Sequence, residues 1–273
     1  MNKVLITGAA GFIGSQLSRR LMDRGLTVKG LDNFNEHLYT PRLKRDRMVH
    51  FDLDIWGCDL KDEIKVEALL REFQPDTIVH LAAMAGVRDS LGKEKSYHAN
   101  NIDATQNLID TCKKHLPDTR IVYASTSCIY AGAPVPWVEG REHGKQLNAY
   151  GYTKWANECQ MQSSGLDTVG LRFFTVYGPW GRPDMALFDF TKNILDEQGI
   201  TVYNYGDMKR DFTYVDDILD GIEIVLDNTD IESGEIFNIG RGEKAALMDF
   251  IGETEKNTGK EAIKNLAPKH PAD

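Results

Sequence analysis

The chain has 273 residues, of which 41% are hydrophobic and 27% charged, and its net charge is −9. That length fits one large domain or two merged ones, and the composition can bury a core, which excludes a disordered tail. The acidic balance argues against a nucleic-acid or anionic-membrane surface, and no apolar run is long enough to span a bilayer. The four cysteines, Cys58, Cys112, Cys128 and Cys159, have neither metal-ligand nor redox-pair spacing, so reduced thiols, no metal and a cytoplasmic location are expected. The N-terminus "MNKVLITGAAGFIG" is apolar but has no cleavage-site pattern, and its glycines suggest another use.

In chain order, the β-branched run "KVLITG" predicts a first strand. "GFIGSQLSRRLMDRG" follows with Ile13, Leu17 and Leu21 at helical spacing. "LTVKGLD" reads as a second strand, "MVHFDLDIWGCDL" holds a third, and "KDEIKVEALLREF" reads as a helix. "DTIVHLAA" is a fourth strand, "YHANNIDATQNLIDTCKKH" a longer helix and "RIVYAST" a fifth strand. A loop, a helix around Tyr150 and a sixth strand, "DTVGLRFF", come next. Strands alternating with helices predict an α/β fold with a doubly wound parallel sheet over residues 1–176. The pattern then changes. "VYGPWGRPDMALFDF" is turn-rich and loop-like, and short strands ("ITVYNYG", "EIFNIG") mix with helices ("YVDDILDGIEIVLDN", "LMDFIGETEKN"). Residues 177–273 are expected to form a smaller lobe, with some segments returning to the sheet.

The first chemical motif is Gly8-Ala-Ala-Gly11-Phe12-Ile13-Gly14, between a predicted strand and a predicted helix. The glycines permit a tight turn and let backbone approach a pyrophosphate, which the helix N-terminus attracts. Asp32 ends the second strand, next to Asn33, where an acidic group can bind adenosine ribose hydroxyls. A carboxylate there repels a 2′-phosphate, so NAD rather than NADP is expected. Asp59 and Leu60 follow the third strand and can reach the adenine, while Leu81, Ala82 and Ala83 end the fourth with small residues along the cofactor's path.

In "NAYGYTKWANE", residues 148–158, Tyr150 lies four positions before Lys154 and Tyr152 only two. On a helix Tyr150 therefore shares a face with Lys154, and Tyr152 points elsewhere. A free tyrosine ionises near pH 10, too high for a base at neutral pH. An ammonium at about 5 Å, in an effective dielectric of about 20, favours the phenolate by roughly 3 kcal/mol, or about two pKa units. The fifth strand brings Ser125, Thr126 and Ser127 to the same edge, so a hydroxyl and a phenol–ammonium pair face a bound nicotinamide.

These segments, "TGAAGFIG", "HLAA", "YASTS" and the Tyr150–Lys154 spacing, resemble the extended short-chain dehydrogenase/reductase family. Within it, "LRFFTVYGPWGRPDMALFDFTKNIL", "VYNYGDMKRDFTYVDDI" and "MAGVRDS" are most similar to the UDP-glucuronate 4-epimerases. The resemblance implies a Rossmann-type sheet with a substrate-binding lobe, a UDP-sugar substrate and a homodimer. The lobe would be shortened, because family members continue past "LAPKHPAD". It further implies Tyr150 as catalytic base, Lys154 on the nicotinamide ribose and Thr126 hydrogen-bonding the reacting hydroxyl. Ser127, Arg88 and Thr175 fall with the substrate residues, Arg182 at the sugar carboxylate, Arg210 at the diphosphate, and Met185 to Phe188 along the uracil. The reaction implied is inversion of C4 through a transient 4-keto sugar. Related decarboxylases and dehydratases carry acidic residues after the catalytic threonine, where this chain has Ser127 and Cys128. A decarboxylase or dehydratase, and a non-catalytic NAD-binding protein, stand as alternatives.

Overall fold

The computed structural model describes residues 2–140 and 143–271. Aliphatic and β-branched residues form β1 (Lys3–Thr7), and the glycine turn after it leads into α1 (Phe12–Asp23), which buries Leu17 and Leu21. β2 (Thr27–Asp32), α2 (Pro41–His50), β3 (Ile55–Gly57) and α3 (Glu63–Phe73) follow. Asp62 caps α3 by accepting from Lys65 N–H at 3.2 Å. Next come β4 (Thr77–His80), α4 (Glu94–Tyr97), a π-helical turn over His98–Asp103, α5 (Ala104–His115) and β5 (Arg120–Thr126). α6 (Ala149–Ser163) starts where Asn148 accepts from Gly151 N–H at 2.8 Å, and it leads to β6 (Thr168–Phe173).

The rest of the chain carries β7 (Thr175–Tyr177), α7 (Ala186–Leu195), β8 (Gly199–Val202), β9 (Lys209–Arg210) and β10 (Phe212–Tyr214). After them come α8 (Val215–Asp227), β11 (Ile236–Ile239), β12 (Ala245–Ala246), α9 (Leu247–Thr258) and β13 (Ile263–Leu266).

Seven strands form one parallel sheet in the order β11-β6-β5-β4-β1-β2-β3. One face is covered by α1 and α8 through Leu17, Leu21, Ile218 and Ile222, the other by α3 and α5 through Leu69, Leu70, Leu108 and Ile109. This is the doubly wound, Rossmann-type arrangement. β11 takes the strand "EIFNIG" back to the sheet, where Ile236 pairs with Gly170 and Ile239 with Phe173. α7, β8 and α9 enclose a separate small core of Phe190, Ile194, Ile200, Val202 and Ile251. Among the described residues, no helix is long and apolar enough to cross a membrane.

Two segments differ from expectation. In "MVHFDLDIWGCDL" the strand is only Ile55–Gly57, and Met48 to His50 close α2. Thr40 and Pro41 start α2 as a cap and a first helical residue should, but the helix buries Lys44 and Arg47 and has no apolar stripe for periodicity to reveal. "VYGPWGRPDMALFDF" opens on the last two residues of β7 and is irregular only from Gly178 to Met185. α7 then begins, held by Phe190 and Ile194 four residues apart on one face.

Candidate active site

The carboxyl ends of β1, β2, β4, β5 and β6 frame a cavity of about 360 Å³, where an open α/β sheet holds its ligand. It adjoins a larger one of about 1080 Å³ under the small lobe. Phe12, Thr175, Val176, Arg182 and Met185 line both.

The glycine turn supplies the floor of the first cavity. Gly8 has φ +73°, and a Cβ there would lie 2.9 Å from Ala82 N, so the turn touches the end of β4 as only glycine allows. Gly11 N–H donates to Gly8 O at 2.9 Å, and the first backbone bond of α1 is Ser15 N–H to Gly11 O at 3.1 Å. The N–H groups of Phe12, Ile13 and Gly14 therefore stand at the positive end of α1, the arrangement that takes a pyrophosphate. Asp32 is 5% exposed; its Oδ2 accepts from Ala10 N–H at 3.1 Å and its Oδ1 from Phe34 N–H at 2.8 Å. Lys44 Nζ stands 3.5 Å from the same carboxylate, and burial pushes that ammonium down against the pull of Asp32. Asn33 donates to Asp59 at 3.0 Å, which sets these two side chains together at the rim. Leu60, Leu81, Ala82 and Ala83 complete the wall. Backbone donors, a held carboxylate and small side chains fit the NAD expected from the sequence.

Thr126, Ser127, Tyr150 and Lys154 line the same cavity. Tyr150 and Lys154 share a face of α6, while Tyr152 turns toward the His98 ring, 5.5 Å away. Ser125 takes a different direction from Thr126: its hydroxyl donates to Glu158 at 2.5 Å. Glu158 is buried and pairs with buried Arg172 at 2.8 Å, so an ion pair under α6 ties that helix to β5 and β6.

The electrostatics differ from expectation. Burial pushes the Tyr150 phenol up to about 12, with Cys128 acting in the same direction. A hydrogen bond from Thr126 and the charge of Arg182 oppose the rise without overcoming it. Lys154 is itself pushed down to about 8 by burial, despite Glu158 one turn away. The expected two-unit fall in Tyr150 is thus a correction: desolvation outweighs the cation, and the cation acting on the phenol is Arg182. At neutral pH both groups carry their protons.

The larger cavity holds Arg88, Thr175, Arg182, Met185, Phe188 and Arg210. β10 pairs with β7, so Phe212 lies beside Thr175, and Arg210 ends β9 two residues before Phe212. Arg88 stacks on the Tyr203 ring at 4.0 Å. Arg182 forms a fork onto Asp184, with Nε–Oδ1 at 3.0 Å and Nη2–Oδ2 at 2.5 Å. It already holds a carboxylate of its own chain.

Several polar residues of the site escaped the sequence reading. Asn101, in the π-helical turn, accepts from Met84 N–H at 2.7 Å and donates to Thr153 at 2.9 Å, fixing the loop after β4 to α6. His80 bridges Thr7 and Thr105 at 2.8 and 3.1 Å and is held neutral, its pKa down to about 3 through burial and the Lys154 charge. Lys44, Tyr39 and Arg47 come from α2 and the loop before it. Only Asn101 had a local signal, a polar pair inside an otherwise amphipathic helix.

The NAD dependent epimerase/dehydratase family profile matches residues 4–240. Protein CapI of Staphylococcus aureus is 38% identical over 99% of this chain and 88% of its own. UDP-glucuronate 4-epimerase 4 of Arabidopsis thaliana is 39% identical over 96% of this chain and 65% of its own. The crystal structure of UDP-glucuronic acid 4-epimerase from Bacillus cereus, in complex with UDP-glucuronic acid and NAD, superimposes with a TM-score of 0.91 at 34% identity, covering 99% of this chain and 88% of that one. A family match over most of the sequence thus coincides with a glycine turn and a Tyr150–Lys154 pair on one cavity, and the chain belongs to the NAD-dependent epimerase/dehydratase family.

Proposed function

We propose that this chain inverts C4 of a UDP-hexuronic acid, interconverting UDP-glucuronate and UDP-galacturonate with NAD as cofactor. The supporting observation is the meeting of the two cavities at Arg182, a guanidinium that takes a carboxylate as a fork and whose charge also reaches Tyr150. Thr126, Tyr150 and Arg182 line one cavity, so a sugar with its carboxylate on Arg182 would turn its ring toward Tyr150 and Thr126. Residues 1–176 carry the cofactor and the reacting groups, and residues 177–273 supply Arg182, Met185, Phe188 and Arg210 to the substrate. Arg88 and Arg210 serve the diphosphate, Ser127 and Thr175 the sugar, and Met185 and Phe188 the uracil. A cytoplasmic homodimer belongs to the same reading.

In this scheme Thr126 holds the 4-hydroxyl and Tyr150 takes its proton. Bound NAD supplies a reversible hydride acceptor, and a positive nicotinamide adds to Arg182 in favouring the phenolate. Lys154 orients the nicotinamide ribose. The larger cavity gives a 4-keto sugar room to turn over, and Tyr150 would then return the proton to its C4 oxygen.

A 4-keto hexuronate is a β-keto acid and is prone to lose carbon dioxide. Ser127 and Cys128, which follow Thr126, offer no carboxylate to assist that loss or an elimination, so epimerisation is favoured. NMR of the sugar after incubation with UDP-glucuronate tests this. UDP-galacturonate supports the proposal, UDP-xylose points to a decarboxylase, and unchanged substrate to a protein that binds NAD without turnover.

A further inference from the structure

α2 buries two cations in place of an apolar face, and one of them has no evident function in the scheme above. Arg47 is 0% exposed. Its Nη1 donates to Ala10 O in the glycine turn at 3.2 Å and to the Tyr39 hydroxyl at 2.8 Å. Its Nε and Nη2 donate to Trp180 O at 3.1 and 2.7 Å, and Nη2 also reaches Gly181 O at 3.3 Å. All of these acceptors are neutral. A guanidinium buried among neutral acceptors is costly to desolvate, so it is a poor choice for stability alone.

What it holds is the backbone just before Arg182. Trp180 has φ +60°, a left-handed conformation uncommon for a side chain of that size. Its ring packs on His50 at 4.6 Å, so α2 grips the residue from both sides. Gln16 of α1 adds a second tie, donating to Pro179 O at 3.2 Å. Consecutive carbonyls of the loop are thus fixed to the cofactor-binding half.

We propose that Arg47 is a positioning residue: it fixes the Trp180–Gly181 backbone to the glycine turn and so sets the direction of Arg182 toward the substrate carboxylate. The catalytic consequence rests on the hexuronate reading, whereas the loop-fixing role does not.

The test is a double-mutant cycle with Arg47→Met and Arg182→Ala, reading kcat/KM for UDP-glucuronate and UDP-glucose. Arg47→Met should lower the UDP-glucuronate value about 100-fold, the scale of an ångström-level misplacement, and the UDP-glucose value far less. In the Arg182→Ala background the same change should cost no more than about threefold, since it acts through the residue already removed. Additive losses, or equal losses on both substrates, overturn the proposal. If Arg47→Met does not fold, Arg47→Lys, which keeps the charge and gives up the fork, takes its place in the cycle. Hydrogen exchange of residues 178–185 supplies a readout independent of substrate. Exchange there should quicken about tenfold in the variant while β5 stays protected, and unchanged exchange overturns the proposal. Wild-type protein inert toward UDP-glucuronate refutes the hexuronate reading instead, and the exchange result then decides the role of Arg47.

Discussion

The sheet side of the site and the lobe side place polar groups in a cavity by different means. On the sheet side the groups are mostly backbone and close in sequence: Gly8 to Gly14 form one turn, and Asp32 is held by Ala10 and Phe34 N–H groups. Around the larger cavity they are long cationic side chains from separate segments: Arg88 from the loop after β4, Arg182 from the loop before α7 and Arg210 from β9. A backbone cradle tolerates side-chain change and serves any substrate the cofactor can oxidise. A set of arginines can be altered one at a time, and on the proposed reading it decides which sugar is accepted. Substitutions on the sheet side should therefore affect all substrates alike, and those on the lobe side should discriminate.

The largest effect is expected at Tyr150. On the proposed mechanism Tyr150→Phe removes the proton acceptor, and it should lower turnover by at least about 1000-fold for UDP-glucuronate and UDP-glucose alike. Cofactor released on denaturation should stay at wild-type stoichiometry, because Tyr150→Phe leaves the glycine turn, Asp32 and Lys154 in place. Unequal losses on the two substrates would break the comparison. Next comes Arg182→Ala, which leaves a substrate carboxylate without its fork and should cost roughly 2–4 kcal/mol in kcat/KM for UDP-glucuronate. UDP-glucose should change little; equal losses would make Arg182 a phosphate or structural contact.

Lys154 links the site to pH. Its folded pKa, about 8, lies below the usual lysine value of 10.5, so the folded form binds the proton more weakly than the unfolded one. Burial of this charge therefore costs stability below pH 8, and the cost fades as pH rises from 8 toward 10.5. Lys154→Met should be more stable than wild type at pH 7, by up to about 3 kcal/mol, with the gap closing at alkaline pH while activity is lost. Thermal unfolding at pH 7 and pH 10 measures this, and a constant gap contradicts it.

Asp184→Asn should act more modestly. Asp184 competes for Arg182, so weakening its fork should lower the KM for UDP-glucuronate by about three- to tenfold without changing that for UDP-glucose. A raised KM would show that Asp184 orients Arg182. The smallest effect is Tyr152→Phe, within about twofold of wild type, since its ring faces His98 and not the cavity.

The same division governs what the sequence revealed. The glycine turn, Asp32 and the Tyr150–Lys154 spacing were legible because each lies within one turn or one helix face. Lobe residues such as Arg182 and Arg210 were reached through family resemblance, since no local rule marks a loop arginine as a ligand. α2 was missed because it packs by Lys44 and Arg47, and α7 because glycines and prolines precede its apolar pair. The sign of the Tyr150 shift was misread because a helical spacing shows which charges are near but not how little water surrounds them.

The chain leaves the sheet after β6 and rejoins it at β11, the strand beside β6. Between them the chain makes the lobe segments β7 to β10 and returns to the sheet face with α8, and the two strand ends are stitched by Phe174 N–H to Ile239 O at 3.1 Å. Gly240 sits against the Phe174 ring at that seam, where a Cβ would come within 3.0 Å. Just beyond this seam, the Trp180 and Gly181 carbonyls are bonded to Arg47 of the sheet half, so the placement of Arg182 relative to Tyr150 is set by the sheet and not by the small core of α7, β8 and α9.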